Sequence, residues 1–169
     1  KASQLGLPIS IDSCELIKNQ ELPNPWPREV REDLVAFIGG GSAMERVWEA
    51  LDQAGVIEKW LPEWSSVRSL PQRNALHRHT VDRHMVETAI CAANLTRTVH
   101  RPDLLLVGSL FHDIGKGTQE DHSDRGAQLI APIAKRIGFP ESDIATLQFL
   151  IKHHLLLSST ATKIGRAHV

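Results

Sequence analysis

The residues that could do chemistry in this chain are histidines and one aspartate that recur along its second half. They are His84, the adjacent pair His112 and Asp113, His122, and the adjacent pair His153 and His154. Imidazole nitrogen and carboxylate oxygen together bind divalent metals, and a metal-bound water loses its proton near neutral pH. The series therefore predicts a metal site, and the chemistry of such a site indicates hydrolysis.

His84 must be positioned by a helix, which the pattern predicts over residues 77–99 with Thr80 as its N-cap. One face of this helix carries Val81, His84, Thr88, Cys91 and Leu95. On that inward face His84 has two interpretations, a hydrogen-bonded core histidine or an inward-pointing metal ligand. Taken alone, the residue favours the core interpretation.

The pair His112 and Asp113 follows a helix that is predicted to begin at Pro102 and to be buried on all sides. Its apolar residues leave no polar face: Leu104, Leu105, Leu106, Val107, Leu110 and Phe111. An ionised aspartate at the end of such a helix costs on the order of several kcal/mol to desolvate without a compensating charge, which a metal ion supplies. The alternative is a solvated helix end that Asp113 and Gly115 merely terminate.

Lys116 follows this pair in a short polar loop, and its role is open on the sequence alone. The ammonium could favour the C-terminal dipole of the preceding helix. It could instead contact a nonbridging phosphate oxygen as a point charge.

A further helix positions His122. Its predicted N-cap is Ser123, which places His122 at the mouth of the helix, and Pro132 predicts a kink within it. The predicted core-facing residues of this helix are Ile130, Ile133, Ala134 and Ile137.

The last helix is predicted over residues 140–154 and contains two adjacent histidines, of which helical geometry favours one as a metal ligand. His154 shares its face with apolar residues, whereas His153 is turned about 100° away. The apolar residues of that face are Ile144, Leu147 and Ile151. His154 is therefore the predicted ligand of the pair.

The first third of the chain is predicted to be helical scaffold. A short helix is predicted over residues 11–18, and a second helix runs from Arg28 until the glycines at 39–41 break it. A glycine run can cradle phosphate, but no strand precedes this one and no Gly-Lys-Ser/Thr follows, so a turn between helices is predicted. Ser42 is the predicted cap of the third helix.

Length and composition limit the number of domains and the kinds of partner that the chain could have. The 169 residues suffice for one domain, and 19 basic against 20 acidic residues give no field that would attract nucleic acid or a membrane surface. The apolar runs are far shorter than the ~20 residues of a membrane span, and the first ten residues lack a signal-peptide core. A soluble, cytoplasmic protein is expected. Cys14 and Cys91 are predicted to be reduced and without a role.

The sequence around the histidines resembles the HD superfamily of metal-dependent phosphohydrolases, through His84, the segment LFHDIGKG (110–117) and the later histidines. The resemblance narrows to one family, the bifunctional [protein-PII] uridylyltransferase/uridylyl-removing enzymes. Four segments carry it: LPEW (61–64), PQRN (71–74), HRHTVDRH (77–84) and DHS (121–123). It runs from the start of the chain through Thr162.

This resemblance implies an all-α HD-domain helical bundle over residues 71–162, preceded by a helical linker region over residues 1–70. In that family one domain attaches a nucleotide to a tyrosine of the PII signalling protein, the HD domain removes it, and ACT domains sense glutamine. The implied substrate is nucleotidylated PII, and the implied product is UMP or AMP. The implied metal, Mn²⁺ or Mg²⁺, would be held by His84, His112, Asp113, His122 and His154, with Asp113 and Lys116 as catalytic residues.

The chain also departs from the family pattern. No Gly-Ser signature with paired aspartates occurs, so transferase activity is not assigned to it. Residues 163–169 read like a translated sequencing adapter, and His168 is therefore not counted as a ligand. The resemblance implies a last aspartate ligand after the helix that carries His154, and the chain is expected to stop before it; Asp124 and Asp143 precede His154 and do not substitute for this ligand by position. Two alternatives follow: hydrolysis of a free nucleotide or alarmone, and a non-catalytic regulatory binding module.

Overall fold

The computed structural model describes residues 2–72, 79–157 and 159–161. This part of the chain contains eight α-helices that are described over their whole length and three short 3-10 segments, residues 156–157 and 159–161 are also helical, and none of the described residues forms a β-strand. The helices are α1 (Ile11–Lys18), α2 (Arg28–Ile38), α3 (Ser42–Gln53), α4 (Val56–Trp60), α5 (Val81–Ala93), α6 (Pro102–Phe111), α7 (His122–Ile137) and α8 (Glu141–Lys152). The predicted all-α class is confirmed.

Helix α6 lies at the centre of the fold and carries the His112–Asp113 pair at its end. It packs against α5, α8 and α2, while α7 and α8 form a closely packed pair joined through Gly138. Six of its ten residues are buried, whereas Pro102, Asp103, Leu105 and Ser109 are only partly covered, so the predicted burial on all sides is wrong for part of the helix. The apolar composition of α6 thus lets several helices converge on the segment that delivers the pair.

The lead-in segment packs onto the C-terminal end of α7. The backbone amide of Trp26 donates to the carbonyl of Arg136 at 2.7 Å, and the Arg136 guanidinium pairs with the carboxylate of Glu63. The side chain of Arg31 donates to the carbonyl of Gly138. The first seventy residues therefore share one hydrophobic core with the later helices, and a domain boundary at residue 70 stays a prediction.

The helix that carries His84 is shorter than predicted, and its buried face is different. Helix α5 spans Val81–Ala93; Thr80 precedes it but makes no side-chain capping bond, and residues 77 and 78 lie outside the described residues. Cys91 and Leu95 are exposed, so the predicted inward face is wrong beyond its first turns. The buried residues are Val81, Met85, Val86, Ala89 and Ala92. His84 and Thr88 are half-buried at the rim of this face, where His84 still reaches the cleft.

Two predicted N-caps are wrong by one or two positions. Gly41, with φ 60°, occupies the cap position of α3, and Ser42 is the first helical residue. The cap of α7 is Asp121, whose carboxylate accepts from the backbone amides of Ser123 and Asp124 at 2.9 and 3.1 Å. In both helices the actual N-cap residue is also of a type that favours this position, and it lies one or two residues before the predicted one.

Helix α7 runs from His122 to Ile137 and includes Pro132. Helix α8 ends at Lys152, so His153 and His154 lie just beyond the helix that was predicted to contain them. Cys14 is buried and Cys91 is exposed, and both are free thiols, as predicted. None of the described helices combines the length and apolar composition that a bilayer crossing requires.

Candidate metal centre

Asp113 is buried at the end of α6, with 2% of its surface exposed. It lies in a tight turn in which the amide of Ile114 donates to the carbonyl of Phe111 and the amide of Lys116 donates to the carbonyl of Asp113. The predicted alternative of a solvated helix end is therefore wrong. A carboxylate in this position needs positive charge or N–H donors around it.

The turn after Asp113 is pressed against the first turn of α7. A Cβ atom on Gly115 would overlap the carbonyl oxygen of His122 and lie 2.5 Å from the backbone nitrogen of Gly126. A Cβ atom on Gly126 would in turn lie 2.9 Å from Ile151 of α8. Only glycine permits this backbone approach, which brings His122 towards Asp113.

One carboxylate oxygen of Asp113, Oδ2, faces two histidines and one lysine. Nε2 of His112 lies 3.1 Å from it, Nε2 of His84 lies 3.6 Å from it, and Nζ of Lys116 lies 2.7 Å from it. Nδ1 of His112 donates to the carbonyl of Ser109 at 2.8 Å, which directs Nε2 of that ring towards Asp113. The two Nε2 atoms are 3.2 Å apart.

The other carboxylate oxygen, Oδ1, faces the remaining pair of predicted ligands. Nε2 of His154 lies 3.5 Å from it and Nε2 of His122 lies 3.7 Å from it. Nδ1 of His154 donates to the carbonyl of Ile151 at 2.7 Å, so the Nε2 atom of this ring also points inward. Oδ1 is buried and accepts no hydrogen bond within the described part of the chain.

These five side chains form two groups of potential metal ligands that share Asp113. The first group is His84, His112 and Asp113, the second is Asp113, His122 and His154, and the donor atoms of each group lie within 4.8 Å of one another. Neutral imidazole and carboxylate are the ligands of many divalent metals. The orphaned Oδ1 and the converging Nε2 atoms fit a divalent cation, so this cluster could bind a metal.

The charge balance of the cluster favours an ionised aspartate. Burial alone would raise the pKa of Asp113, but His112, His154 and Lys116 outweigh it and hold this pKa far below its ordinary value. Burial lowers the pKa of His122, which keeps that ring neutral and able to bind a metal. Burial also opposes protonation of His154, yet the nearby Asp113 carboxylate and the bond to the Ile151 carbonyl raise its pKa.

The structure places His153 and His154 in different surroundings. His153 is exposed and packs against the ring of Phe149, with 4.6 Å between ring centroids. His154 is half-buried and faces Asp113, so the structure brings together all five residues predicted as ligands and leaves His153 out. Their role as ligands stays a prediction. His168 lies outside the described residues.

Lys116 contacts Asp113 rather than only the helix end, and it also contacts Gln72, which no sequence pattern indicated as part of the site. Its Nζ also donates to Oε1 of Gln72 at 2.7 Å. Gln72 lies 44 residues earlier, in a loop without periodicity, and no spacing pattern joins it to the cluster. The cluster opens into a cleft of about 720 Å³. Other residues that line this cleft are Leu70, Pro71, Val81, Gly117, Thr118 and Leu155.

Known proteins resemble this chain over nearly its whole length. Over 164 residues it is 51% identical to the "Bifunctional uridylyltransferase/uridylyl-removing enzyme" of Streptomyces coelicolor. The aligned region covers 96% of this chain and 20% of that protein. Proteins with the same name from Mycobacterium tuberculosis and Corynebacterium glutamicum are 45% and 34% identical, again over 96% of this chain, and 20% and 24% of their own lengths are covered. The chain thus spans about a fifth to a quarter of the length of these curated relatives.

No solved structure matches the chain. A comparison with protein families matches residues 81–167 to the HD domain, which covers four of the helices described above and all five clustered residues. The match includes the segment that joins α6 to α7, where the His112–Asp113 pair lies at the base of the cleft. On this match and this geometry, the chain belongs to the HD domain family.

Proposed function

We propose that the chain hydrolyses the phosphodiester that joins a nucleotidyl group to a tyrosine of the PII signalling protein. The observation that carries this proposal is the Asp113 carboxylate, each oxygen of which faces two histidine Nε2 atoms at the base of a cleft. The name of the relatives includes "uridylyl-removing enzyme", which supports a nucleotidyl group as the group that is removed, and the family resemblance implies PII as the protein that carries it. A cytoplasmic location and a boundary at residue 70 belong to the same proposal.

Two sets of ligands would hold the metal in this function. His84 and His112 would bind at Asp113 Oδ2, and His122 and His154 at Oδ1, so that the carboxylate could serve one or two ions. The divalent ion, by resemblance Mn²⁺ or Mg²⁺, would supply a nucleophilic water near neutral pH and polarise the phosphoryl group. Imidazole and carboxylate ligands suit Fe²⁺ and Zn²⁺ as well, so supply and geometry would choose the occupant.

The reaction exchanges one phosphorus–oxygen bond for another, and Lys116 is the residue that would stabilise the charge that develops. Water oxygen forms a bond to phosphorus, the bond from phosphorus to the tyrosine oxygen breaks, and the phenol leaves with a proton. Lys116 would balance the negative charge that accumulates on the phosphoryl oxygens. The products are an unmodified tyrosine and a nucleoside monophosphate, UMP or AMP.

A nucleotide-release assay tests this proposal. The chain is incubated with Mn²⁺ and either uridylylated or adenylylated PII, beside His112→Ala and Asp113→Ala variants and the full-length Streptomyces coelicolor relative. The expected result is release of UMP or AMP by the unmodified chain and a loss of at least roughly 100-fold in both variants. Equal release by the variants would contradict it.

The same assay separates the two alternatives. Turnover of free nucleotides or alarmones without turnover of modified PII would identify a small-molecule hydrolase. Binding of modified PII without any release, together with an active full-length relative, would identify a regulatory binding module.

A further inference from the structure

Lys116 is shared between two acceptors at the edge of the metal centre. Its Nζ donates to Oδ2 of Asp113 and to Oε1 of Gln72, each at 2.7 Å. An ammonium group has three N–H donors, and among the described residues Lys116 has no third acceptor. One donor is therefore available to a molecule in the cleft that both side chains line.

Gln72 is held in place by bonds that do not involve Lys116. Its Nε2 donates to the carbonyl of His79 at 3.2 Å. Two residues earlier, the carbonyl of Leu70 accepts from the amide of Val81 at 2.9 Å. The amide of Ser69 donates to the carboxylate of Asp82 at 2.8 Å. The first turn of α5, the helix that carries His84, thus fixes the loop that presents Gln72.

Asp113 Oδ2 serves both the lysine and the first set of potential ligands. The same oxygen faces Nε2 of His84 and Nε2 of His112, so a cation bound by these three residues would share it with the Lys116 ammonium. Two cations on one oxygen repel each other strongly in a buried site. A metal ion at Oδ2 would therefore weaken the bond from Lys116 to Asp113, whereas Oε1 of Gln72 belongs to neither group of potential ligands and would not be shared with that ion.

We propose that Gln72 is a positioning residue that holds Lys116 at the cleft when a divalent metal binds at Asp113 Oδ2. In the metal-free protein Lys116 neutralises the buried carboxylate. In the metal-bound protein Gln72 keeps the same ammonium close by and presents it to an anionic oxygen of the substrate. Only the identity of that anion, a phosphodiester, rests on the proposed function.

A double-mutant cycle in Mn²⁺ affinity tests this role without any substrate. The dissociation constant of Mn²⁺ is measured by electron paramagnetic resonance for the full chain and for Gln72→Leu, Lys116→Met and the double variant. Lys116→Met is expected to tighten binding about tenfold, because a competing cation is removed. Gln72→Leu is expected to weaken binding several-fold, because the displaced ammonium has lost its other acceptor. In the Lys116→Met background the same change is expected to have no effect.

Two control variants complete the cycle. Gln53→Leu makes the same change at an exposed position of α3 and should leave Mn²⁺ affinity unchanged. Gln72→Glu keeps an acceptor for Lys116 and should restore affinity to at least that of the unmodified chain. Weakening by Gln72→Leu that is equal with and without Lys116 would show a merely structural role and overturn the proposal. Unchanged affinity in both backgrounds would overturn it as well.

The kinetic counterpart uses the PII assay. Gln72→Leu should lower kcat/KM for nucleotide release roughly tenfold with Lys116 present and not at all in Lys116→Met. An unmodified chain that releases no nucleotide would contradict the proposed function, while the Mn²⁺ cycle would still decide the role of Gln72.

Discussion

Two adjacent histidines give the sharpest contrast at the scale of single residues. His154→Ala removes an imidazole whose Nε2 lies 3.5 Å from Asp113 Oδ1, whereas His153→Ala removes an exposed ring that packs on Phe149. We expect His154→Ala to weaken Mn²⁺ binding by at least roughly tenfold and His153→Ala to leave it unchanged. Isothermal titration with Mn²⁺ checks both, and equal effects of the two variants would refute the ligand assignment of His154.

The sequence could predict several of these residues because their chemistry is local. An aspartate after a mainly apolar helix has to be compensated. Helical spacing favoured His154 over His153, and His154 does face Asp113, although α8 ends at Lys152 and both histidines lie beyond it. The position of Gln72 could not be predicted, because its partner Lys116 lies 44 residues away and only the packing of the loop on α5 joins them.

At the scale of helices and turns, the approach of Gly115 to α7 sets the geometry of the centre. Gly115→Ala would place a methyl group on the carbonyl oxygen of His122, so the turn and α7 must separate. We expect a loss of about 1–3 kcal/mol in the free energy of unfolding, typical of overpacking, and weaker Mn²⁺ binding. Urea denaturation and Mn²⁺ titration measure the two effects.

Gly108 provides the matched control in the same region. It lies inside α6, and a Cβ atom there would meet Leu147 and Leu150 at 3.7 Å, an ordinary van der Waals distance. Gly108→Ala should therefore stabilise the chain by up to about 1 kcal/mol through helix propensity. A Gly115→Ala variant as stable as Gly108→Ala would contradict the close approach.

An ion pair joins Arg101, the N-cap residue of α6, to Asp143 in the first turn of α8. The guanidinium of Arg101 donates to both carboxylate oxygens of Asp143, at 2.8 and 2.6 Å, and this bond lowers the pKa of Asp143. A lowered carboxylate pKa stabilises the fold above the ordinary aspartate pKa, and the contribution is lost as the pH falls through the lowered value. Asp143→Asn should cost about 0.5–1 kcal/mol at neutral pH, because the pair lies near the solvent.

The difference between the chain and Asp143→Asn should shrink as the pH falls below the ordinary aspartate range. Urea denaturation at several pH values measures this difference. Asp33→Asn, at an exposed position of α2, is the control and should show a smaller change. A cost for Asp143→Asn that stays constant down to acidic pH would contradict the role of the ion pair.

The limits of sequence prediction at this scale lie in the ends and faces of helices. Asp121 and Ser123 are both good capping residues, and the sequence does not reveal which amides will point at which oxygen. The predicted buried face of α5 was wrong because residue type alone does not fix which side of a helix is covered. Thr88 and Cys91 are compatible with either side of a helix, and only the packing on α6 selects Met85 and Ala89 for the core.

At the scale of the whole molecule, a core shared by the lead-in and the later helices holds the metal centre together. The residues of the centre come from the ends of α5, α6, α7 and α8, so each imidazole depends on the packing of a different element. The all-α class was predictable because helical periodicity runs through the chain. The convergence of four helix ends on Asp113 required the close approach of Gly115 and Gly126, which no periodicity encodes.

Both groups of potential metal ligands share the Asp113 carboxylate, so binding of a divalent metal should depend on this residue above all others. Isothermal titration of the chain with Mn²⁺ at neutral pH, beside an Asp113→Asn variant of similar size, tests it most directly. We expect Mn²⁺ to bind the chain and Asp113→Asn to lose at least roughly 100-fold in affinity, because both ligand sets lose their shared carboxylate. Mn²⁺ binding of equal affinity by the two proteins would contradict it.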